Sequence, residues 1–198
     1  MRVISGSAGG RRLKSVSARW LRPTTDRVRT VLFDCLGERV RGAVVLDLFC
    51  GTGALGIEAL SRGAARAVFV DIRPQALKLV AENLRLTSLS DRAELVRSDV
   101  RAFLRKVRPP AVNFDIVFAD PPYTGVPGWA GLLARVASVL RRGGVFVLEE
   151  SVRSALPPLP PTLALSEIRR VGETRLIFAQ RKEAIVASAA EGDLSGDL

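Results

Sequence analysis

The sequence predicts an α/β fold: a largely parallel sheet of seven strands with an antiparallel hairpin at one edge. Between residues 43 and 149, short apolar runs typical of buried strands alternate with segments of helical periodicity. This is the pattern of parallel strands joined by crossover helices. Two further strand-like runs, 163–171 and 174–180, are separated only by Gly172 and Glu173, which allows a hairpin but no crossover. The 198 residues, 47% of them hydrophobic, suffice for one domain with a substantial core.

Two elements are predicted before the alternating region. Residues 1–17 alternate weakly around the glycine-rich segment 6–10, which favours a small β-hairpin. Thr24 or Thr25 is then expected to cap a helix, because a threonine hydroxyl accepts a backbone N–H of the first turn. Apolar residues recur at helical spacing over residues 28–40, so this helix should pack against the main body.

Five strands and four helices are predicted in the alternating region. The strands are 43–49, 67–70, 93–96, 114–119 and 145–149, and the helices are 54–61, 74–86, 100–107 and 129–141. Pro74 suits a first helical turn, where its missing N–H costs no hydrogen bond. Gly143 and Gly144 predict the end of the last helix. The prolines between 157 and 161 predict a rigid connector before the terminal hairpin.

These elements divide the chain into a basic N-terminal hairpin at 1–20, a main domain at 21–182 and a tail at 183–198. The tail contains acidic but no basic residues and little apolar periodicity, which predicts disorder. No stretch approaches the roughly 20 apolar residues of a membrane span, and the N-terminus lacks the apolar core of a signal peptide. A cytoplasmic location is therefore expected.

The composition excludes several kinds of catalysis. The chain has no histidine, which rules out Ser–His and Cys–His nucleophiles and histidine-ligated zinc. Cys35 and Cys50 lie in apolar surroundings without metal-ligand spacing, so they are expected to be reduced core residues.

The net charge of +10 is concentrated near the N-terminus. Residues 1–29 contain seven arginines and one lysine against the single acid Asp26. Such a block is the electrostatic pattern of a nucleic-acid binder, and arginine favours forked contacts with phosphate. A solvated basic surface is the alternative.

A glycine-rich turn, Asp47–Gly56, follows the first strand of the alternating region. Gly51, Gly53 and Gly56 fit the G-x-G-x-x-G pattern of a dinucleotide site. Asp47 argues against a dinucleotide, because its carboxylate would repel a pyrophosphate placed over the turn. S-adenosylmethionine has no phosphate and carries sulfonium and ammonium cations, so an acid at this position favours it as the cofactor.

Four acids follow or end four successive strands: Asp47, Asp71, Asp99 and Asp120. The carboxyl ends of parallel strands share one edge, where ligands of open α/β sheets bind. Asp71 is expected to accept ribose hydroxyls and Asp99 the adenine amino group, although either could instead cap a helix. The predicted cofactor-binding residues are Asp47, Cys50, Gly51, Gly53, Asp71, Ile72, Ser98, Asp99 and Val100.

The segment Asp120-Pro121-Pro122-Tyr123 suits the binding of a flat base. The two prolines have no N–H, so the backbone here offers mainly carbonyl acceptors. An exocyclic amine can then donate to the Asp120 carboxylate and the Pro121 carbonyl, while Tyr123 stacks on the ring. A rigid turn after a core strand is the alternative.

These motifs resemble the bacterial RsmD family of class I methyltransferases. The resemblance spans roughly residues 1–182 and rests on Arg2–Gly6 with Gly9–Arg11, Arg22–Thr24 with Asp26–Arg29, Leu32-Phe33, Asp47–Gly56 with Glu58-Ala59, and Asp120–Tyr123. The glycine turn and the Asp-Pro-Pro-Tyr segment occur in many amino-methyltransferases, so the arginine-rich opening carries the narrower assignment. Cys35 stands where the family is expected to have asparagine.

The resemblance implies a Rossmann-like class I methyltransferase fold with S-adenosylmethionine as methyl donor. The implied target is the N2 amine of guanine 966 in 16S rRNA, on a partly assembled 30S subunit. A monomer without metal is expected. The implied catalytic residues are Asp120, Pro121, Pro122 and Tyr123, and the implied rRNA-binding residues are Arg2, Arg11, Arg12, Lys14, Arg22, Thr24 and Arg27.

Three other functions remain open at this point. Asp-Pro-Pro-Tyr suits any exocyclic amine, so an N6-adenine methyltransferase acting on DNA or RNA fits the motif equally well. The glycine pattern alone also allows a dehydrogenase. The basic opening would serve a non-catalytic RNA-binding or assembly factor on a methyltransferase fold.

Overall fold

The computed structural model describes residues 1–15, 24–107, 113–121 and 129–183, and within these ranges the chain forms one sheet with helices on both faces. The strands are β1 Val44–Leu48, β2 Arg66–Asp71, β3 Ala93–Arg97, β4 Phe114–Ala119, β5 Leu140–Ser151, β6 Leu163–Val171 and β7 Thr174–Arg181. The helices are α1 Asp26–Leu36, α2 Ala54–Ser61, α3 Pro74–Thr87, α4 Val100–Lys106 and α5 Trp129–Val139.

The seven described strands lie in the order β3-β2-β1-β4-β5-β7-β6. Strands β1 to β5 are parallel, whereas β7 runs antiparallel to both β5 and β6. The predicted α/β class, with its antiparallel hairpin at one edge, is confirmed. The strand order reverses between β1 and β4, which is where a crevice opens at the carboxyl ends of the strands.

The sheet separates two apolar clusters. One contains Val28, Leu32 and Phe33 of α1 together with residues of α2, α3 and the N-terminal segment. The other contains residues of α4 and α5, such as Leu104 and Leu133. Burial of both sheet faces explains why the central strands are apolar on alternate and intervening positions alike.

Helix starts agree with the capping residues in the sequence. Thr25, not Thr24, caps α1, and its hydroxyl accepts the Val28 N–H at 3.2 Å. Asp99 caps α4 and accepts the Ala102 N–H at 3.0 Å. These contacts satisfy N–H groups that have no partner within the helix.

The boundary between α5 and β5 differs from the prediction. The helix ends at Val139, and residues 140–144 already belong to β5, whose register with β4 shifts between the pairs Phe114–Leu140 and Ile116–Val145. Gly143 has a positive φ of 70° within this irregular stretch. Gly143 therefore lies in an irregular part of a strand and does not mark the end of a helix.

The predicted N-terminal β-hairpin is not confirmed as two strands. The segment 1–15 makes one isolated antiparallel bridge, between Arg2 and Arg12, and a few backbone hydrogen bonds such as Val3 N–H to Arg11 O at 3.0 Å. Val3 and Leu13 are buried in the apolar cluster of α1, α2 and α3. Residues 1–15 thus pack against the main core.

Side chains of α1 and α2 hold this segment in place. The Glu58 carboxylate is fully buried and accepts the N–H groups of Ile4 at 2.7 Å and Ser5 at 3.0 Å. It also contacts Arg62 at 2.8 Å and Arg29 at 3.5 Å. Arg29 was counted with the basic surface in the sequence, but its side chain is completely buried.

A second anchor lies on α3. Asn83 accepts the Lys14 N–H at 2.7 Å and donates to the carbonyls of Lys14 and Thr52, both at 3.1 Å. It therefore joins the N-terminal segment to the glycine-rich turn after β1. Nearer the start of the N-terminal segment, Gly6 packs against the end of α2. A Cβ at this position would lie 1.9 Å from the Ser61 carbonyl oxygen, so only glycine fits.

The predicted disorder of the C-terminal tail cannot be compared with the structure. Residues 184–198, most of the predicted tail, lie outside the described residues. In the described part of the chain, no helix has the length and apolarity needed to cross a membrane.

Replacing Glu58 should destabilise the fold strongly. In Glu58→Gln the buried Arg29 keeps Asp26 at 2.7 Å but loses its second carboxylate, and breaking a buried pair typically costs about 3–5 kcal/mol. Urea unfolding followed by circular dichroism measures the change. Glu38→Gln is the control, since its pair with Arg41 is exposed and should have little effect. Equal unfolding midpoints for the two variants would contradict the structural role of Glu58.

Candidate active site

Three of the predicted acids meet at the carboxyl edge of the sheet. Asp47 lies near the end of β1, Asp71 ends β2, and Asp120 follows β4. The side chains alternate along each strand, and Val45, Phe69 and Phe118 all belong to the cluster on the α1 side. Two residues further on, the three acids therefore face that same side.

The glycine-rich turn is shaped by one of these acids. Asp71 accepts the Gly51 N–H at 3.1 Å through one oxygen and the Arg73 N–H at 2.8 Å through the other. Gly51 and Gly53 both have positive φ, as does Phe49, which is rare outside glycine. A carboxylate has about four acceptor positions, so Asp71 retains capacity for ribose hydroxyls beside the turn.

Asp47 lies under the same turn and is buried. Its carboxylate accepts the Gly56 N–H at 2.9 Å. A Cβ at Gly56 would lie 2.3 Å from the Phe69 ring, so glycine is required there. Burial, and then the charges of Asp120 and Asp71, raise the pKa of Asp47 well above its usual range, against the opposing hydrogen bond from Gly56. A cation placed here would favour the charged form.

The neighbouring thiol is not activated. Cys50 is buried in the glycine-rich turn, and burial, followed by the charges of Asp47 and Asp71, raises the pKa of its thiol. It is therefore a thiol at neutral pH and a poor nucleophile.

The residues predicted to hold an adenosine moiety lie together at the ends of β2 and β3. The Ser98 N–H donates to the Asp71 carbonyl at 3.1 Å, which places residues 98–100 next to Asp71. Ile72 is 56% exposed and presents an apolar surface at this edge. Asp99 is exposed and caps α4, which is the alternative role predicted for it. One of its carboxylate oxygens therefore already accepts a backbone N–H of that helix.

Asp120 is linked to the N-terminal part of the chain. The Thr24 hydroxyl donates to the Asp120 carboxylate at 3.1 Å, and Thr24 is only 7% exposed. Pro121 is buried next to it. Pro122, Tyr123 and Arg22, which the sequence assigned to this site, lie outside the described residues.

Several predicted RNA-binding residues already have partners within the protein. Arg2 pairs with Asp26 at 3.8 Å, and Lys14 pairs with Glu82 at 3.1 Å. Arg11 donates to the Leu86 carbonyl at 3.1 Å near the end of α3.

Arg12 and Arg27 are exposed. The surface available to phosphates is therefore smaller than the charge count suggested, because Arg29 is internal and others are paired.

One acid at this edge was missed in the sequence. Glu149 follows Leu148 of β5, which is paired with Ala119 of β4, so Glu149 stands beside Asp120. It is only 7% exposed. Its position in the sequence could have revealed it. Glu149 follows the apolar run of the fifth strand, just as the predicted site acids follow or end the apolar runs of earlier strands.

Metal ligation has no support in the described ranges. Within residues 1–15, 24–107, 113–121 and 129–183, no group of three or more cysteine, aspartate and glutamate side chains is placed to hold an ion.

Comparisons with known proteins point to one family. The family model described as "Conserved hypothetical protein 95" matches residues 1–180. YlbH of Bacillus subtilis is 36% identical over 183 residues, covering 92% of this chain and 100% of the relative. "Ribosomal RNA small subunit methyltransferase D" of Escherichia coli K12 is 34% identical over 188 residues, covering 92% of this chain and 90% of the relative.

Solved structures agree with this likeness. The structure of yhhF from Escherichia coli has a TM-score of 0.81 and 31% identity, covering 92% of this chain and 98% of the other. An RNA methyltransferase from Salinibacter ruber in complex with S-adenosyl-L-homocysteine has a TM-score of 0.63 at 19% identity, covering 82% and 95%. The second likeness supports the fold alone.

The raised pKa of Asp47 predicts a pH-dependent effect of Asp47→Asn. In the unfolded chain the carboxyl ionises at its ordinary pKa, whereas in the folded protein ionisation is disfavoured. The wild-type protein therefore loses stability as pH rises from the pKa of the unfolded chain through the higher pKa of the folded protein. The variant should therefore gain stability relative to the wild type as pH rises from 4 to 8.

Thermal unfolding of the ligand-free proteins at several pH values measures this difference. Asp91→Asn, at an exposed position, is the control and should shift little with pH. A difference between Asp47→Asn and wild type that stays constant or shrinks with pH would refute the prediction.

Proposed function

The chain belongs to the RsmD family of ribosomal RNA methyltransferases, and from that membership we propose that it methylates rRNA with S-adenosylmethionine as methyl donor. We propose further that the acceptor is the exocyclic N2 amine of a guanine in 16S rRNA, guanine 966 of an assembling 30S subunit. The observation that carries the proposal is the position of Asp120, which lies beside Asp47 at the carboxyl edge and is held by Thr24.

The residues at the carboxyl edge fit the methyl donor. Asp71 has acceptor capacity for ribose hydroxyls, and Ile72 offers an exposed apolar face to adenine. Asp47 is a buried carboxyl whose pKa is raised, so a nearby sulfonium or ammonium group would compensate its charge. When bound, S-adenosylmethionine supplies an electrophilic methyl group on sulfur.

Asp120 and Pro121 are proposed to orient the acceptor amine. The N2 lone pair of guanine is delocalised into the ring, so attack requires that it turn out of the ring plane. The Asp120 carboxylate and the Pro121 carbonyl can accept hydrogen bonds from the two N–H groups and hold the amine with its lone pair out of the ring plane. Catalysis then comes from orientation and from stabilisation of the positive charge that grows on nitrogen.

The choice of rRNA as substrate is supported by the names of the relatives. The Escherichia coli relative is named as a methyltransferase of the small-subunit rRNA. Arg12 and Arg27 are exposed and suited to phosphate contacts, and Arg2 and Lys14 retain largely exposed side chains despite their ion pairs. Base stacking on Tyr123 would offset part of the cost of extruding the target base.

The decisive experiment is methyl transfer by Asp120→Asn. The amide oxygen of asparagine accepts a hydrogen bond from the amine less strongly than a carboxylate does, so kcat should fall on the order of 10²–10³-fold. Tritiated S-adenosylmethionine is supplied with under-modified small subunits or naked 16S rRNA, and the product nucleoside is identified. Asp34→Asn, an exposed position on α1, is the matched control.

Two results would reject the proposal. Wild-type product identified as N6-methyladenine would replace guanine by adenine as the target. Full activity of Asp120→Asn, with S-adenosylmethionine binding intact by calorimetry, would remove Asp120 from the mechanism.

Thr24 is expected to position the Asp120 carboxylate. Thr24→Val removes the donated hydrogen bond, and losing one to a charged group costs about 1.5–3 kcal/mol, so kcat should fall about 10- to 100-fold. Thr24→Ser keeps the hydroxyl and should retain most activity. Single-turnover rates with saturating RNA separate this effect from binding. A similar loss in both variants would indicate that packing of Thr24, and not its hydroxyl, is what matters.

A further inference from the structure

Glu149 stands next to Asp120 on the neighbouring parallel strand. The register pairs Phe118 with Val147 and Ala119 with Leu148, so the next position along the two strands brings Asp120 beside Glu149. Neighbouring strands in a sheet are about 4.8 Å apart. Two carboxylates are thus held side by side at the edge where the substrate base is proposed to bind.

Both side chains point to the same face of the sheet. Phe118 and Val147 belong to the apolar cluster on the α1 side, and each acid follows two residues later. The Thr24 hydroxyl reaches Asp120 from the start of α1, which confirms this direction for β4. Glu149 is 7% exposed, so its carboxyl is largely withdrawn from bulk water at this edge of the sheet.

The adjacent glutamate has a different environment. Glu150 points to the opposite face, where it accepts a hydrogen bond from Arg175 at 3.0 Å. That ion pair is sufficient to explain a charge at position 150.

Two adjacent acceptors match the edge of guanine and not that of adenine. Guanine presents the N1–H beside the N2 amine, which places donors on neighbouring ring positions. Adenine presents a bare N1 beside its N6 amine, so a carboxylate there would face a lone pair. Enzymes that act on an extruded base read it through hydrogen bonds to this edge.

We propose that Glu149 accepts the N1–H of the target guanine while Asp120 holds its N2 amine, and that Glu149 thereby selects guanine over adenine. This inference rests on the proposed function and assigns one residue to the choice of base. Glu149 contacts the base and takes no part in removing the proton that the amine loses on methylation.

The test uses 2-aminopurine as a probe. This base keeps the amine at position 2 but lacks O6 and has a bare N1, so it differs from guanine at the group that Glu149 is proposed to read and at the adjoining carbonyl. Small subunits are reconstituted with 16S rRNA carrying guanine or 2-aminopurine at the target position. A site that binds a donor rejects an analogue lacking it, so the wild-type kcat/KM should be roughly 100-fold or more lower for 2-aminopurine.

The variant Glu149→Gln should weaken this discrimination. Its amide can donate to the bare N1 of 2-aminopurine, so the ratio of kcat/KM for guanine to that for 2-aminopurine should fall roughly 10-fold or more. Glu150→Gln is the matched control, a neighbouring residue of the same type on the other face, and should leave the ratio unchanged. Comparing the ratios between wild type and variant cancels two differences that are common to both enzymes: the intrinsic reactivity of the two amines and the missing O6 of 2-aminopurine.

The outcomes separate this inference from the proposed function. No methylation of guanine by the wild type would overturn both. Methylation of guanine with an unchanged ratio in Glu149→Gln would overturn the role of Glu149 alone. A wild-type ratio near one would do the same without any variant, so the test holds even if Glu149→Gln does not fold.

Discussion

The buried carboxylate of Glu58 is the contact on which the arrangement of the site depends. It binds the N-terminal segment through two backbone N–H groups and α1 through Arg29. The start of α1 is thereby fixed over the sheet, and Thr24 at that start reaches Asp120. A charge without solvent exposure is costly unless it is paired and hydrogen-bonded, and Glu58 fulfils both conditions. The orientation of the proposed catalytic acid thus depends on an ion pair within the core.

The carboxyl edge combines negative charge with a basic protein. Asp47, Asp71, Asp120 and Glu149 lie at this edge, whereas the chain as a whole carries a net charge of +10. The two features suit different partners, since the acids face a cationic methyl donor and the donor edge of a base, while outer arginines face phosphates. Neutralisation of the acids by the donor also makes the approach of a polyanion less unfavourable. Binding of donor and RNA is therefore expected to be cooperative.

Much of this was accessible in the sequence, and the failures have physical reasons. Strands such as 114–119 and 163–171 were predicted to the residue because apolar runs and turn residues mark their ends clearly. The α5–β5 boundary was missed because Gly143 and Gly144 have the same signature in an irregular strand as after a helix. Arg29 was placed on the surface because a charge count contains no information on burial. Glu149 escaped notice because its significance appears only when strand register sets it beside Asp120.

The anchoring of the N-terminal segment also sets an order of folding. Its partners lie far along the chain: Ile4 and Glu58 are 54 residues apart, Lys14 and Asn83 are 69 apart, and Thr24 and Asp120 are 96 apart. During synthesis the first residues must wait until α2 and α3 have been made, with Val3 and Leu13 exposed meanwhile. Contacts of such separation slow folding. The segment that leaves the ribosome first cannot dock before Asn83 has been made, and the contact of Thr24 with the site waits for Asp120.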